Sequence, residues 1–388
     1  MPRYMGQVKF QSRHMRRISI TMKLEKGVIS SSQLISLIGI FIQGSIFSTV
    51  FVFEITPKDA WLVSLTSLAM FVPFAWAYVK LMQMFPGKNL IQINDIVFGR
   101  YLGKSISVLY ILFIIVLAAT NLGVICDSIA GLFMVETPII ALAIMLAFAC
   151  AWAVRNGIET IARISLIFLT IVSISVLLSL LLIASKIDMN NLLPVLDISL
   201  IDFIQVNHIS LTAFFGGIFV FMMVIPYMDN IKKGTKSVFM GLIIGVATML
   251  ACSVMISGVL GNVAIIANSP LISATRQVEV SKVLTRMDFI VVGILVLSVF
   301  MKIALIYYTA ALSISQLLNL QTYKPIVIPV GIILVGLVIP MFDNPTVRSE
   351  IGMNTWPFFA SIFEFLLPAV TLLVALIRRL PQKQGEKC

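Results

Sequence analysis

Ten stretches of this chain are long and apolar enough to cross a bilayer or come close to it, and that repetition leaves few folds open. A hydrocarbon core about 30 Å thick needs roughly 20 apolar residues in a helix. The candidate spans run Gln33 to Ile55, Asp59 to Leu81, Gly103 to Asp127, Pro138 to Val154, Ile158 to Ser185, His208 to Tyr227, Ser237 to Gly261, Met287 to Leu318, Pro325 to Phe342 and Trp356 to Ile377. Lipid offers no hydrogen bonds, so each segment must satisfy its own backbone, which a helix does. Of the 388 residues, 59% are hydrophobic and 12% charged, which excludes a water-soluble globular domain. The predicted class is an all-α integral membrane protein.

Lys and Arg content orients such a chain. With the N-terminus placed inside, the inner segments carry 21 of these residues, the outer ones six, and Lys302 lies within a span. Seven of the 21 fall in the N-terminal tail, from Arg3 to Lys26. Both termini are therefore expected to be cytoplasmic, and the net charge of +11 is an orientation signal that needs no nucleic acid. Residues 1–32 read as a basic cytoplasmic tail, 33–378 as the ten-helix membrane domain and 379–388 as a cytoplasmic tail. The first 28 residues lack the apolar core of a cleavable signal, so the first span is expected to direct insertion, and Met22 is an alternative start. Asn89 to Lys104 has apolar residues at helical spacing and reads as a short interfacial helix. The outer connections Asp188 to Asn207 and Asn262 to Arg286 are expected to hold helical pieces over the external mouth.

Ten helices divide into two groups of five, and an odd number makes the second group enter the membrane in the opposite direction. An inverted repeat follows if the two groups share a fold. The first and sixth helices then correspond, and both carry glycine near mid-span: "IGIFIQGSIF" (Ile38 to Phe47) and "HISLTAFFGGIFVFMMVIPYMDN" (His208 to Asn230). A helix broken at mid-membrane frees backbone groups, which is tolerable where they face protein or a wet cavity and can hold a polar ligand. Half-helix N-termini attract a carboxylate, and freed carbonyls attract an ammonium group or cation. The alternative for each glycine alone is close helix packing.

Over essentially its whole length the chain resembles the spore germination permease family. That family comprises the B subunits of nutrient germinant receptors of endospore-forming bacteria, within the transporter superfamily of amino acids, polyamines and organocations. The resemblance rests on "ISSSQLISLIGIFIQGSIF", "FGRYLGKSISVLY", "RNGIETIARISLIF", "FFGGIFVFMMVIPYMDNIKKGTKS" and "TRMDFIVVGILVLSVFMKIALIYYTAALSI", in that order. It implies two inverted five-helix repeats with the first and sixth helices broken. It also implies a receptor subunit in the spore inner membrane that senses an amino acid or similar nutrient beside an A-type membrane subunit and a C-type lipoprotein. An ordinary ion- or proton-coupled amino acid or amine transporter of the same fold is the alternative, and a scaffold subunit with a degenerate pocket is another. Two departures stand out: the first helix ends "FSTVFVF" without the family's usual proline, and "GGIF" lacks the glutamate that often follows the glycine in the sixth.

The expected ligand-binding residues are Gln43, Gly44 and Ser45 in the first break and Gly216 and Gly217 in the sixth. Phe214, Phe215 and Phe219 are expected as apolar walls, with Asn121 from the third helix facing the same cavity. Lys302 is the costliest residue to bury and must face the bundle interior. By the resemblance it supplies a fixed positive charge where related transporters bind a cation; a purely structural lysine is the alternative. Glu364, the one carboxylate well inside a span, is its natural partner, with a partly wet carboxylate near the outer end of its helix as the alternative. Asp127 and Asp288 read as boundary residues, and one of Tyr307 and Tyr308 is expected inside. His14, His208 and the four cysteines have no metal-ligand or redox spacing, and neither a catalytic constellation nor a cofactor motif is found. By the resemblance, the expected partners are a small nutrient, the two receptor subunits and lipid.

Overall fold

The computed structural model describes residues 25, 27–267, 269–277, 287–342 and 349–381. The basic tail residues up to Lys23, together with Lys26, Lys383, Lys387, His14 and Cys388, lie outside these residues. The described chain is helical, with one isolated parallel bridge between Ile29 and Met228. Nine of its helices are long and apolar enough to span a membrane: Ser31–Ile55, Ala60–Met84, Arg100–Gly131, Ile158–Lys186, Leu200–Met223, Ile231–Ile266, Gly293–Leu317, Lys324–Met341 and Ile351–Ile377. A shorter apolar helix, Ile139–Arg155, holds the fourth position. These ten are called first to tenth in chain order.

The helices differ from expectation mainly where polar residues interrupt hydropathy without interrupting the coil. The sixth begins at Leu200, well before His208, because Ser199 caps it by accepting from the Asp202 N–H at 3.1 Å. A short helix stands in this stretch at Leu90–Phe98, opened by a reciprocal capping box between Asn89 and Gln92 and closed by Gly99 at φ 86°. Glycine is required at that positive φ, and the third helix starts directly after it at Arg100. The connections after the fifth and seventh helices hold the helical pieces Met189–Leu192, Gly261–Ile266 and Pro270–Thr275.

The first helix lies at the centre, packed by the fifth, seventh and eighth. Its approach to the seventh depends on two small residues one turn apart. A Cβ on Gly241 would stand 2.7 Å from Ile38 Cβ, and one on Gly245 would stand 2.7 Å from Ile42 Cβ, so the isoleucines sit directly against the glycine backbone. Membrane helices gain association energy from such close packing rather than from the hydrophobic effect. Gly245→Leu should therefore cost about 3 kcal/mol through overpacking, read as a lower thermal midpoint in detergent. Gly336→Ala, where a Cβ meets nothing within 4 Å, should leave the midpoint unchanged.

Candidate functional site

The first helix is regular from Ser31 to Gln43, turns at Gly44 and Ser45, continues as a 3-10 turn over Ile46–Thr49 and resumes at Val50–Ile55. The turn forms where the eighth helix comes closest. A Cβ on Gly44 would lie 2.8 Å from the Ser298 carbonyl oxygen and 3.0 Å from Lys302 Cβ, so a glycine is needed for the approach. The sixth helix loses α geometry in the same neighbourhood. It passes from α at Ser210 to a π turn over Leu211–Phe215 and then to 3-10 geometry over Gly216–Met223. The 3-10 turn of the first helix packs against the π turn of the sixth. π and 3-10 segments inside long helices shift backbone hydrogen bonds and are frequent at functional sites.

Polar side chains with unused bonding capacity converge on these breaks. Lys302, 3% exposed, donates to Ser45 Oγ at 2.7 Å and holds its ammonium 5.1 Å from the Phe41 ring centroid. Such a cation–π contact offsets part of the cost of burying the charge. Gln43 donates through Nε2 to Ser173 Oγ at 2.9 Å, while its Oε1 is buried without a hydrogen-bond partner. Phe41 also lies against the other break, because a Cβ on Gly217 would stand 3.0 Å from its Cζ. Lys302, Ser45, Phe41 and Gly217 thus form a chain of contacts from the eighth helix through the first to the sixth.

Glu364 arrives from the tenth helix, in a π turn over Ile362–Leu366. Its side chain is fully buried, neither carboxyl oxygen has a hydrogen-bond partner, and the carboxyl fills the space that a Cβ on Gly216 would need. The backbone carbonyl of Glu364 accepts from Tyr78 Oη. Lys302 and Glu364 make no ion-pair contact. The ion pairs Lys58 with Asp197 and Arg163 with Glu159 both lie away from the breaks.

The structure brings Gln43, Gly44, Ser45, Gly216, Gly217, Lys302 and Glu364 to the paired breaks. The aromatic residues are placed differently. Phe215 stacks on Phe71 at 5.4 Å, Phe214 lies edge-on to Phe215 at 6.3 Å, and Phe219 packs on Tyr110 and Phe113, each at 5.7 Å. Asn121 is half-buried and donates to the Leu117 carbonyl of its own helix at 2.8 Å, with no bond to either break. A small cavity of about 10 Å³, room for one water, lies beside Ile46, Phe47 and Thr49, against Ser269, Pro270, Leu271 and Leu295. Tyr307 and Tyr308 are both buried, donating to the Val327 carbonyl and to Glu25 Oε2.

Sequence reasoning missed Phe41, Ser173, Tyr78, Tyr110 and Glu25. For Tyr78 the signal was present, since a phenol inside a span calls for a partner, which it finds in the Glu364 carbonyl. Glu25 lies between lysines and reads as solvated charge, yet it ties four segments together. Its carboxylate accepts from Gly27 N at 2.9 Å, Ile158 N at 3.3 Å, Tyr323 Oη at 3.1 Å and Tyr308 Oη at 3.4 Å. The Ile158 contact sets the negative charge at the start of the fifth helix, where the helix dipole favours it. Beside it, Ile29 N donates to the Tyr227 carbonyl at 2.9 Å and Asp229 N donates to the Ile29 carbonyl at 3.0 Å, joining the start of the first helix to the end of the sixth. We call this arrangement the strap.

Burial first, and the adjacent Glu25 carboxylate second, push the phenols of Tyr227 and Tyr323 above the ordinary tyrosine value. A phenol raised in the folded state stabilises that state fully below its unfolded value, about pH 10, and loses the contribution as pH climbs through the folded value. The strap should hold to about pH 10 and weaken above it. Tyr323→Phe should lower the thermal midpoint by an amount equivalent to about 1 kcal/mol at pH 8 and flatten the alkaline decline, as measured by melting curves from pH 8 to 11.

Comparison with known proteins agrees with this architecture. The family described as "Spore germination protein" matches residues 28–346. Spore germination protein KB of Bacillus subtilis (strain 168) is 27% identical over 378 residues, covering 94% of this chain and 98% of its own length. The putative spore germination protein YfkT of the same strain is 24% identical over 83% of this chain and 88% of its own. Among solved structures, a Na+-coupled sialic acid symporter in a substrate-bound outward-open state superposes with a TM-score of 0.57 at 10% identity, covering 86% of this chain and 79% of that one. At that identity the likeness concerns the fold alone. A helical membrane architecture with a transporter's fold, matched to one family across most of its length, places this chain in the spore germination permease family.

Proposed function

We propose that the protein is the membrane subunit of a spore germinant receptor that binds a small nutrient, an amino acid by preference, between the breaks of the first and sixth helices. Ligand binding favours one arrangement of the broken helices over the other, and the shift passes to A-type and C-type partner subunits. On this reading the helices form two inverted five-helix repeats in the spore inner membrane with both termini cytoplasmic. The observation that carries it is the meeting of two irregular helix segments around buried polar groups with spare bonding capacity, Gln43 Oε1 and the Lys302 ammonium. Buried polar atoms are rarely left unpaired without a functional reason, and a carboxylate-bearing ligand suits the lysine.

A second reading, a nutrient transporter, is favoured by one observation, the similarity of fold to a substrate-bound symporter. Proteoliposomes containing this chain alone separate the two. Saturable binding of a labelled amino acid without accumulation is expected for a receptor; concentrative uptake along an ion gradient would establish transport instead.

A further inference from the structure

The Glu364 carboxyl is enclosed by elements that offer it no hydrogen bond. The sixth helix presents Gly216, so close that even a methyl group there would collide with the carboxyl. The second helix presents Tyr78, whose hydroxyl is committed to the Glu364 backbone carbonyl. The third presents Tyr110, whose hydroxyl is buried without a partner, and whose ring lies 6.2 Å from that of Phe363. Lys302 on the eighth makes no bond to Glu364, since its ammonium is bonded to Ser45 and both carboxyl oxygens lack a partner. His208, on the sixth helix, is bonded at 2.8 Å to Ser361, three residues before Glu364. Asp95, on the helix Leu90–Phe98, has no hydrogen bond with this carboxyl.

A full negative charge in an apolar enclosure without a hydrogen bond is far more costly than a neutral acid there. The space against Gly216 admits no organic ligand, but a proton needs no space. We propose that Glu364 is a proton-binding site built into the contact between the tenth helix and the break of the sixth. The carboxyl carries the proton while the two helices are packed as seen here. When they part and water enters, the O–H bond breaks, the proton passes to water as hydronium, and the carboxylate left behind is hydrated; repacking reverses each step. The π turn of the tenth helix and the 3-10 run of the sixth meet at this carboxyl, so the proton is linked to the same irregular segment that forms the candidate ligand site. The inference goes beyond the nutrient-binding reading and needs no nutrient for its test.

Infrared difference spectroscopy on the full chain in lipid nanodiscs measures the protonation directly. Wild type minus Glu364→Gln at pH 7 should contain the carbonyl stretch of a protonated carboxylic acid, shifted on exchange into D2O. Gly216→Ala, which crowds the same oxygens, should move that band. A difference spectrum with carboxylate stretches in place of the acid band would overturn the proposal. Should Glu364→Gln fail to fold, Glu364→Asp serves, with a displaced acid band expected and an unchanged one counting against the proposal. Loss of amino acid binding in separate samples would bear on the receptor reading and leave this result untouched.

Discussion

Lys302→Met is expected to weaken nutrient binding tenfold to a hundredfold while leaving the fold intact. The ammonium is buried beside the first-helix break, and its contact with Ser45 Oγ at 2.7 Å directs it there. A charge-assisted hydrogen bond is worth about 1.5–3 kcal/mol, and each 1.4 kcal/mol is about a factor of ten in affinity. Methionine preserves most of the apolar stem that packs on Phe41. Removal of a buried charge relieves its desolvation cost, so the thermal midpoint should hold or rise. Lys302→Arg should also bind poorly, because a planar guanidinium cannot occupy the volume of a compact ammonium above the Phe41 ring. Saturation binding of labelled amino acid, with a melting curve on each variant, checks both parts. Wild-type affinity in Lys302→Met would assign the lysine a structural role.

Glu25→Ala should have the largest effect on stability. Four donors lose their common acceptor, two of them backbone N–H groups, and the residue is only 9% exposed. Breaking a buried charged network by removing one member costs about 3–5 kcal/mol. The loss is local in origin, so the strap should open before the bundle unfolds. A cysteine placed at Ile29, fully buried beside the strap, should resist a water-soluble maleimide in the Glu25 background and react in Glu25→Ala. Glu25→Gln keeps one acceptor oxygen and should fall between the two. An unreactive Ile29→Cys in the alanine variant would show that the parallel bridge alone keeps the segment closed.

The helical membrane class was legible because hydrocarbon allows few alternatives, and runs of about 20 apolar residues are a coarse signal that survives boundary errors. The interruption at Gly44 was legible for a related reason: a glycine flanked by Gln43 and Ser45 makes little sense in a lipid-facing coil. Boundaries were less legible wherever a cap replaced hydropathy as the deciding term, as Ser199 does for the sixth helix. The aromatic residues show what spacing cannot resolve. Phe215 and Phe219 pack on the second and third helices and Phe214 lies edge-on to Phe215, whereas Phe41, two residues before Gln43, lies beneath the lysine. Which face a residue presents near a break depends on the local change of helical register, and no regular period encodes it.

Glu364 is the clearest case of information that appears only in three dimensions. "GGIF" carries no carboxylate, and along the sequence the break of the sixth helix reads as lacking one. The tenth helix delivers a carboxyl to Gly216 from 148 residues further along the chain. The small residue in one helix and the acid in the other are complementary, and neither signals the match on its own.

The most direct test of the central claim is an experimental density map of the purified protein saturated with the amino acid that binds it best. Ligand density in contact with Gln43 to Ser45 on one side and Gly216 to Gly217 on the other, with the Lys302 ammonium at its carboxylate, is the predicted result. Ligand density at another place, or continuous α-helical density through both glycine positions with lipid packed against them, would contradict the account.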